Sequence, residues 1–152
     1  IWENFMTTLI KEYSELTTDE LYEILKHRCL IYVVEQNCNY LDMDDKDKNA
    51  KHIMILDDGK LVGYIRVMAA GVAYPEASFG RLTVKKEYRG LKLGRQLVEI
   101  AMDILLNQMG ETEVKIQAQS YLEEFYKMFG FKSQGDHFMD CGIKHIYMTY
   151  GK

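Results

Sequence analysis

A predicted strand, a short basic loop and a long amphipathic helix follow one another between Ser78 and Gly110. Residues 78–84 have the composition of a strand, and apolar residues from Leu93 to Leu105 recur at helical spacing. A strand that passes directly into an amphipathic helix buries the apolar face of that helix against a sheet. This unit therefore predicts a sheet flanked by helices.

Turn and capping signals divide the rest of the chain into short elements. Thr17 and Glu20 form a capping-box pattern ahead of an apolar stretch of helical spacing, and Asp58-Gly59 between two apolar runs is a hairpin signal. The polar stretch 37–51 is predicted to be a loop that contains a short helical turn. The order β-α-β-β-β-α-β-α-β-β mixes hairpins with strand–helix crossovers, which predicts an α/β fold with a mixed sheet. Besides the unit already described, the predicted strands are 8–13, 52–56, 61–68, 114–118, 131–139 and 144–150, and the predicted helices are 18–32 and 121–129.

Composition and charge are those of an ordinary globular protein. The 152 residues include 19 basic and 23 acidic side chains, a formal net charge of −4, and 47% of the residues are hydrophobic. A chain of this length is expected to form a single domain over residues 1–152. The acidic balance argues against nucleic-acid binding through bulk charge, and no stretch approaches the roughly 18 apolar residues of a membrane helix. The amino end lacks the basic and apolar regions of a signal peptide, so a cytoplasmic location is expected.

No metal site is expected from the cysteines, histidines or carboxylates. Cys29, Cys38 and Cys141 are an odd number of cysteines without the spacing of a disulfide framework or of a zinc motif, which predicts packed thiols in a reducing compartment. The acidic stretch from Asp42 to Asp47 lacks the glycine and the glutamate of a calcium loop. It is expected to be a solvated loop or a rim that attracts a cationic amine.

The loop before the long helix has the features of an anion-binding site. Backbone N–H groups at a helix start have no partner within the helix, and the helix dipole places partial positive charge there. Gly90 and Gly94 allow close approach to the backbone, while Arg89, Lys92 and Arg95 add positive charge. The loop lacks the Gly-Lys-Ser/Thr of a Walker A motif and the G-x-G-x-x-G of a dinucleotide site. We therefore predict a seat for a phosphate or pyrophosphate, with a solvated strand-to-helix turn as the alternative.

Two motifs, in this order along the chain, resemble those of the GCN5-related N-acetyltransferase (GNAT) superfamily. Residues 89–94 resemble its acyl-CoA signature Arg/Gln-x-x-Gly-x-Gly/Ala, except that Lys92 stands where the first glycine belongs and a lysine resists positive φ. Residues 125–131, Phe-Tyr-Lys-Met-Phe-Gly-Phe, resemble the end of the last helix of that family, and Gln119 occupies the place of a common asparagine. Further residues in the range 14–52 resemble those of the ElaA-type subgroup.

This resemblance implies a mostly antiparallel, twisted sheet of about seven strands, flanked by helices, whose central strands splay apart. Acetyl-CoA, as the acyl-donor co-substrate, would lie in the cleft between the strands 82–84 and 114–118. Backbone groups of Leu82 and Val84 would pair with its pantetheine arm, and the N–H groups from Gly90 to Arg95 would hold its pyrophosphate. The residues expected to bind the co-substrate are Leu82, Val84, Arg89, Gly90, Lys92, Leu93, Gly94, Arg95 and Gln119.

The implied reaction is direct attack of a primary amine on the thioester in a ternary complex, which needs proximity and a neutral nucleophile. Tyr126 matches the general acid of the family, and its phenol would donate a proton or a hydrogen bond to the CoA sulfur. No spacing singles out a general base among Glu35, Glu76, His52, His137 and His145.

Several alternatives remain open at the level of sequence. The protein could bind acyl-CoA as a sensor or interaction module with little transferase activity, because no base stands out and a lysine interrupts the phosphate loop. It could also use a longer acyl donor. The acceptor is expected to be a small-molecule or peptidic amine, and the closing strands would allow a homodimer.

Overall fold

The computed structural model describes residues 6–151, so the amino-terminal residues examined for a signal sequence lie outside it. Within that range, the elements follow the order that the sequence predicts. The capping box is confirmed, because the Thr17 hydroxyl accepts a hydrogen bond from the Glu20 N–H and the Glu20 carboxylate accepts one from the Thr17 N–H. The strands and α-helices are β1 (Met6–Glu12), α1 (Thr18–Arg28), β2 (Lys51–Asp57), β3 (Lys60–Met68), β4 (Ser78–Val84), α2 (Leu93–Asp103), β5 (Val114–Gln119), α3 (Glu123–Lys127), β6 (Lys132–Asp140) and β7 (Ile143–Tyr150).

The strands form two antiparallel sheets that are joined by a parallel bridge. One sheet has the order β1-β2-β3-β4, and the other has the order β5-β7-β6. A parallel bridge joins Ala77, just before β4, to Val114 at the start of β5, and the Lys115 N–H donates to the Ala77 carbonyl at 2.8 Å. Beyond this bridge the two neighbouring strands belong to separate sheets, so a cleft opens between β4 and β5 toward their carboxyl ends. The mixed α/β fold with splayed central strands is thus confirmed.

The two long helices cover opposite faces of the larger sheet. Leu97 of α2 is fully buried in the main apolar core. A Cβ added at Gly63 in β3 would lie 3.3 Å from the Leu97 Cδ1, so the glycine lets α2 pack closely against the sheet. On the other face, Ile24 of α1 packs with Met54 and Tyr64. Within residues 6–151, no helix has the length and apolar character needed to cross a membrane.

Both long helices end in a wider, π-helical turn. Helix α1 continues as Cys29–Glu35, and α2 continues as Ile104–Gln108. In a π-turn each N–H reaches one residue further back than in an α-helix, so the side chains that follow rotate out of α-helical register. In the first of these turns, Tyr32 and Glu35 line the cleft between β4 and β5. The predicted helix 18–32 is confirmed as helical, with a change of type after Arg28.

The expectation that the cysteines are packed thiols is wrong for two of them. Cys38 and Cys141 form a disulfide bond, with 5.8 Å between their Cα atoms and 103 residues between them in sequence. Among the described residues, only Cys29 is a free cysteine, and it is exposed. The sequence argument for a reducing compartment took all three cysteines as free thiols, and the disulfide bond removes that premise.

Candidate functional site

Two cavities meet at the cleft between β4 and β5. The larger has a volume of about 640 Å³ and lies against the loop that precedes α2. The smaller has a volume of about 340 Å³ and is bounded by the segment 38–46 and by the turn between β6 and β7. The residues that line both cavities are Tyr32, Gln36, Phe79, Gly80, Arg81, Gln117 and Gln119. Molecules bound in the two cavities would therefore meet at the cleft.

All the predicted site residues line the larger cavity. Its walls come from β4, the loop 85–92, the start of α2, the end of β5 and α3. The predicted site residues on these walls are Leu82, Val84, Arg89, Gly90, Lys92, Leu93, Gly94, Arg95, Gln119 and Tyr126. The fold thus brings the two motifs, which are far apart in sequence, to one cavity.

The loop before α2 has the backbone geometry of an anion seat. Gly90 has a φ of 87°, and Lys92, the residue that precedes the helix, has a φ of 62°. The lysine therefore takes up the left-handed conformation that lysines resist, although a glycine would adopt it without strain. Among the described residues, no side chain caps the N–H groups at the start of α2. These donors, together with the positive end of the helix dipole, are available to a phosphate group.

An acidic side chain forms an ion pair with one of the cationic side chains of this loop. The Glu35 Oε1 lies 2.6 Å from the Arg89 Nη1, and both side chains are partly exposed. The Arg89 Nε also donates to the Val84 carbonyl at 3.1 Å. Glu35, one of the candidate bases, is therefore engaged with the phosphate loop. A phosphate that approached Arg89 would compete with this carboxylate.

The carbonyl groups of β4 that face the cleft are hydrogen-bonded by side chains. The Tyr32 hydroxyl donates to the Leu82 carbonyl at 3.0 Å, and Arg89 donates to the Val84 carbonyl. A pantetheine arm that used these two carbonyls would have to share or replace these side chains. Strand β4 is also irregular here, because its pairing with β3 shifts beside Arg81, which has a φ of 54°. Such a bulge bends a strand and redirects its side chains.

Tyr126 lies in an aromatic cluster at the wall of the larger cavity. Its side chain is 6% exposed, and its ring lies 5.2 to 6.2 Å from the rings of Phe79, Phe125 and Phe131. Burial raises the pKa of Tyr126 well above its ordinary value. No hydrogen bond joins its hydroxyl to another described residue. The phenol is therefore protonated at neutral pH and available to a ligand.

Gln119 occupies the end of β5, where the two cavities join. Its Nε2 donates to the Gln36 Oε1 at 3.2 Å, and Gln36 returns a longer contact of 3.5 Å. Because both side chains line both cavities, this amide pair spans the passage between them. The pair orders the site and offers donors and acceptors to a ligand on either side.

The prediction that the acidic segment is a solvated loop is wrong for Asp42 and Asp47, whereas Asp45 is exposed. Asp42 and Asp47 are 5% and 7% exposed, and both are bound by Arg28, whose Nε and Nη1 lie 2.7 Å from their carboxylates. Asp44 is bound by Arg66 and lies close to Arg81. Burial alone would raise the pKa of Asp44, but the hydrogen bonds and charges of the arginines hold it well below its ordinary value.

The sequence analysis missed these three arginines. Arg66 lies within an apolar strand, between Ile65 and Val67, and is 3% exposed. An arginine in such a run needs a buried acidic partner, and that requirement is the sequence signal that could have revealed the network. The carboxylates are neutralised and so do not form a free acidic rim for a cationic amine.

Of the five candidate bases, only Glu35 and His145 line a cavity. His52 is fully buried in the fold, with Nδ1 2.7 Å from the Tyr64 hydroxyl and Nε2 2.8 Å from the Asp47 carbonyl. His137 pairs with Glu123 at 3.0 Å, away from both cavities. The remaining candidate, Glu76, lines neither cavity. Glu35 lines the larger cavity, so His145 is the candidate on the side of the smaller cavity.

Comparisons with known proteins find relatives over nearly the whole chain. The model of the GNAT acetyltransferase domain matches residues 13–152. The UPF0039 protein of Synechocystis is 37% identical over 141 residues, which make up 92% of this chain and 92% of that protein. Protein ElaA of Escherichia coli is 34% identical over 139 residues, which make up 90% of this chain and 91% of ElaA.

Solved structures give the same result for the fold. The crystal structure of Escherichia coli ElaA covers 95% of this chain and 99% of its own, with a TM-score of 0.89. An acyl-CoA N-acyltransferase from Pseudomonas aeruginosa, 31% identical, covers the same shares of the two chains with a TM-score of 0.90. The similarity therefore extends over nearly the whole fold.

Proposed function

The chain belongs to the GNAT acetyltransferase family, in its ElaA-type subgroup, and from that premise we propose that it transfers an acetyl group from acetyl-CoA to a primary amine. A similar protein, from Pseudomonas aeruginosa, is described as an acyl-CoA N-acyltransferase. The observation that carries the proposal is the pair of cavities that share the cleft between β4 and β5. One cavity has an anion seat at its end, and the other is open to a second substrate.

In this proposal, acetyl-CoA occupies the larger cavity. Its pyrophosphate lies against the N–H groups from Gly90 to Arg95, at the positive end of α2, and Arg89 adds a charge-assisted contact once Glu35 is displaced. Its extended pantetheine arm follows β4 into the cleft. The thioester then lies near Tyr126 and beside the amide pair of Gln36 and Gln119.

The amine enters from the smaller cavity and attacks the thioester carbon. A carbon–nitrogen bond forms, the carbon–sulfur bond breaks, and the thiolate of CoA leaves. Tyr126 stabilises that thiolate by donating a hydrogen bond and then a proton, which its protonated phenol can do throughout the neutral range. The cleft supplies proximity, since both reactants are held within one continuous space.

Calorimetric titration with acetyl-CoA, CoA and ATP, followed by an amine screen, tests this proposal. We expect acetyl-CoA to bind with micromolar affinity, ATP to bind much more weakly, and acetylated product to form with some of the amines. Binding of acetyl-CoA without product across a broad screen would favour an acyl-CoA sensor. Absence of binding by either CoA form would overturn the co-substrate site itself.

A further inference from the structure

We propose that His145 is the general base that removes a proton from the acceptor amine, an inference that rests on the proposed function. Its ring is 9% exposed and lines the smaller cavity. Among the described residues, it is the only histidine that lines this cavity. Three further observations, on its proton, its neighbours and the cavity charges, lead to this role.

The hydrogen bond of His145 determines which ring nitrogen can accept a proton. The Nδ1 lies 2.7 Å from the carbonyl oxygen of Ile143. A carbonyl oxygen only accepts hydrogen bonds, so Nδ1 carries the proton and the lone pair of the neutral ring is on Nε2. No hydrogen bond joins Nε2 to another residue in the described part of the chain. The ring is therefore held in the tautomer that a base acting through Nε2 requires.

The strand register places His145 next to the passage between the cavities. In the smaller sheet, His145 of β7 is directly opposite Gln119 of β5 on one side and Phe138 of β6 on the other. Directly paired residues project from the same face of a sheet, so the imidazole and the Gln119 amide share one face. Phe138 stacks on the ring, with 6.0 Å between the ring centroids and an angle of 23° between the planes. This stacking fixes the orientation of the imidazole.

The charged side chains that share the smaller cavity are engaged with other groups. They are Asp44, Lys46, Arg66, Arg81 and Asp140. Asp44 is held by the arginines and lies 3.8 Å from the Lys46 Nζ. Asp140 accepts a hydrogen bond from the Gln117 amide at 2.8 Å. The Nε2 of His145 is thus a cavity nitrogen that no described residue engages, and Asp140 is the carboxylate against which its role must be compared.

The proton balance of the reaction requires a base for the acceptor ammonium, and His145 has this role in the proposal. A primary amine in water is mostly an ammonium ion, which has no lone pair to attack with. Nε2 takes one proton from the ammonium, the neutral amine attacks the thioester carbon, and the carbon–sulfur bond breaks. The nitrogen loses a second proton to solvent as the amide forms, the thiolate gains one from Tyr126, and the Tyr126 phenolate regains its proton from solvent. The protonated His145 then releases its proton to solvent.

Methylamine and hydroxylamine are matched probes for this step because they are similar in size and differ in basicity. Methylamine is protonated at neutral pH, whereas hydroxylamine is mostly neutral. We expect His145→Gln to lower kcat/KM about 100-fold or more with methylamine, and less than about tenfold with hydroxylamine. A loss of structure would lower both equally. His137→Gln, the same substitution outside both cavities, is the control and should change both reactions little, and calorimetry should show unchanged acetyl-CoA binding in both variants. Asp140→Asn tests the carboxylate of the same cavity as the alternative base.

Each result has a definite meaning. Equal losses with both probes, in a wild-type protein that acetylates both, would overturn the role of His145 and leave the transferase intact. The base would be Asp140 instead if kcat/KM fell more with methylamine than with hydroxylamine in Asp140→Asn, and this difference were larger than in His145→Gln. A wild-type protein that binds acetyl-CoA and acetylates neither probe would contradict the proposed function, and the base with it.

Discussion

The carboxylate of Glu35 lies 2.6 Å from the guanidinium of Arg89, at the edge of the loop that precedes α2. Glu35 comes from the π-helical turn after α1, so this ion pair joins that turn to the anion seat. In the protein without ligand, one cation of the seat is thus neutralised by the protein itself. A pyrophosphate must replace the carboxylate in order to use Arg89.

We therefore expect Glu35→Gln to tighten acetyl-CoA binding. The variant removes both the competing partner of Arg89 and a negative charge near the pyrophosphate. Exposed ion pairs contribute about 0–1 kcal/mol, so the Kd should fall by up to about fivefold, and the effect should decrease as salt is added. Calorimetry at two salt concentrations measures this. Glu124→Gln, which makes the same change at an exposed pair with Lys127 outside the cavity, should leave the Kd unchanged.

Tyr126→Phe should separate chemistry from binding. We expect kcat to fall about 100-fold, while the Kd for acetyl-CoA stays the same, because the aromatic packing remains. The free energy of unfolding should change by less than about 1 kcal/mol, since the hydroxyl makes no hydrogen bond within the described part of the chain. Steady-state kinetics and denaturant unfolding provide the two readouts. Tyr121→Phe, at an exposed position of the same cavity, should leave kcat nearly unchanged. A wild-type kcat in Tyr126→Phe at every pH would contradict the acid role.

Stability should decrease in mild acid because of His27. This side chain is 2% exposed, and burial, assisted by the charges of Lys85 and Arg89, lowers its pKa from 6.5 to about 4. Above pH 6.5 neither the folded nor the unfolded state protonates His27, so its contribution is constant there. Between about pH 6.5 and 4, His27 binds a proton in the unfolded state but stays neutral in the folded state. The free energy of unfolding therefore falls by on the order of 3 kcal/mol as the pH decreases through this range.

Denaturant unfolding at a series of pH values from 7.5 to about 4 measures this effect. We expect His27→Leu to reduce the pH dependence relative to wild type, and His137→Gln, at a partly exposed site, to leave most of it in place. An unchanged slope in His27→Leu would assign the acid sensitivity to other groups, such as His52, whose pKa burial also lowers.

The disulfide should support both stability and the smaller cavity. Cys38 and Cys141 both line that cavity, and their bond closes a loop of about a hundred residues. Because a bond that closes a loop of this size restricts the unfolded chain, it is expected to contribute about 2–5 kcal/mol to the free energy of unfolding. The double variant Cys38→Ser/Cys141→Ser should lose stability in this range and show a raised KM for the amine with unchanged acetyl-CoA affinity. Cys29→Ser should behave as wild type, and a double variant that did the same would show that the bond has neither role.

Local signals were sufficient for most of the fold. The strand at Ser78–Val84 and the capping box of Thr17 and Glu20 depend on neighbours within a few residues, and the structure has both where the sequence predicts them. The cavity residues around Gly90 and Tyr126 were also identified, because their two motifs keep a fixed order in a family of known architecture. For these residues, the structure adds geometry to the predicted list, and it adds other lining residues such as Tyr32, Gln36 and Tyr121.

The features that the sequence did not reveal depend on distant parts of the chain. The bond between Cys38 and Cys141 has no local pattern, and the partners of Arg28 lie 14 and 19 residues away, in a loop and in the short 3₁₀ helix Lys46–Asn49. Such contacts depend on which elements the fold places side by side, and no spacing rule encodes that. The same reason explains why His145 could not be selected from the other histidines, since its neighbours Gln119 and Phe138 come from two other strands.

The single bridge between Ala77 and Val114 also determines how many open edges the protein has. Seven strands in one continuous sheet would expose two edges, but the division into four and three strands creates four. The two inner edges, β4 and β5, face each other across the cleft and pair only at this bridge within the described residues. Unpaired edges normally invite aggregation. Here both inner edges line the larger cavity, so a ligand bound there would lie against the two edges that the interruption of the sheet creates.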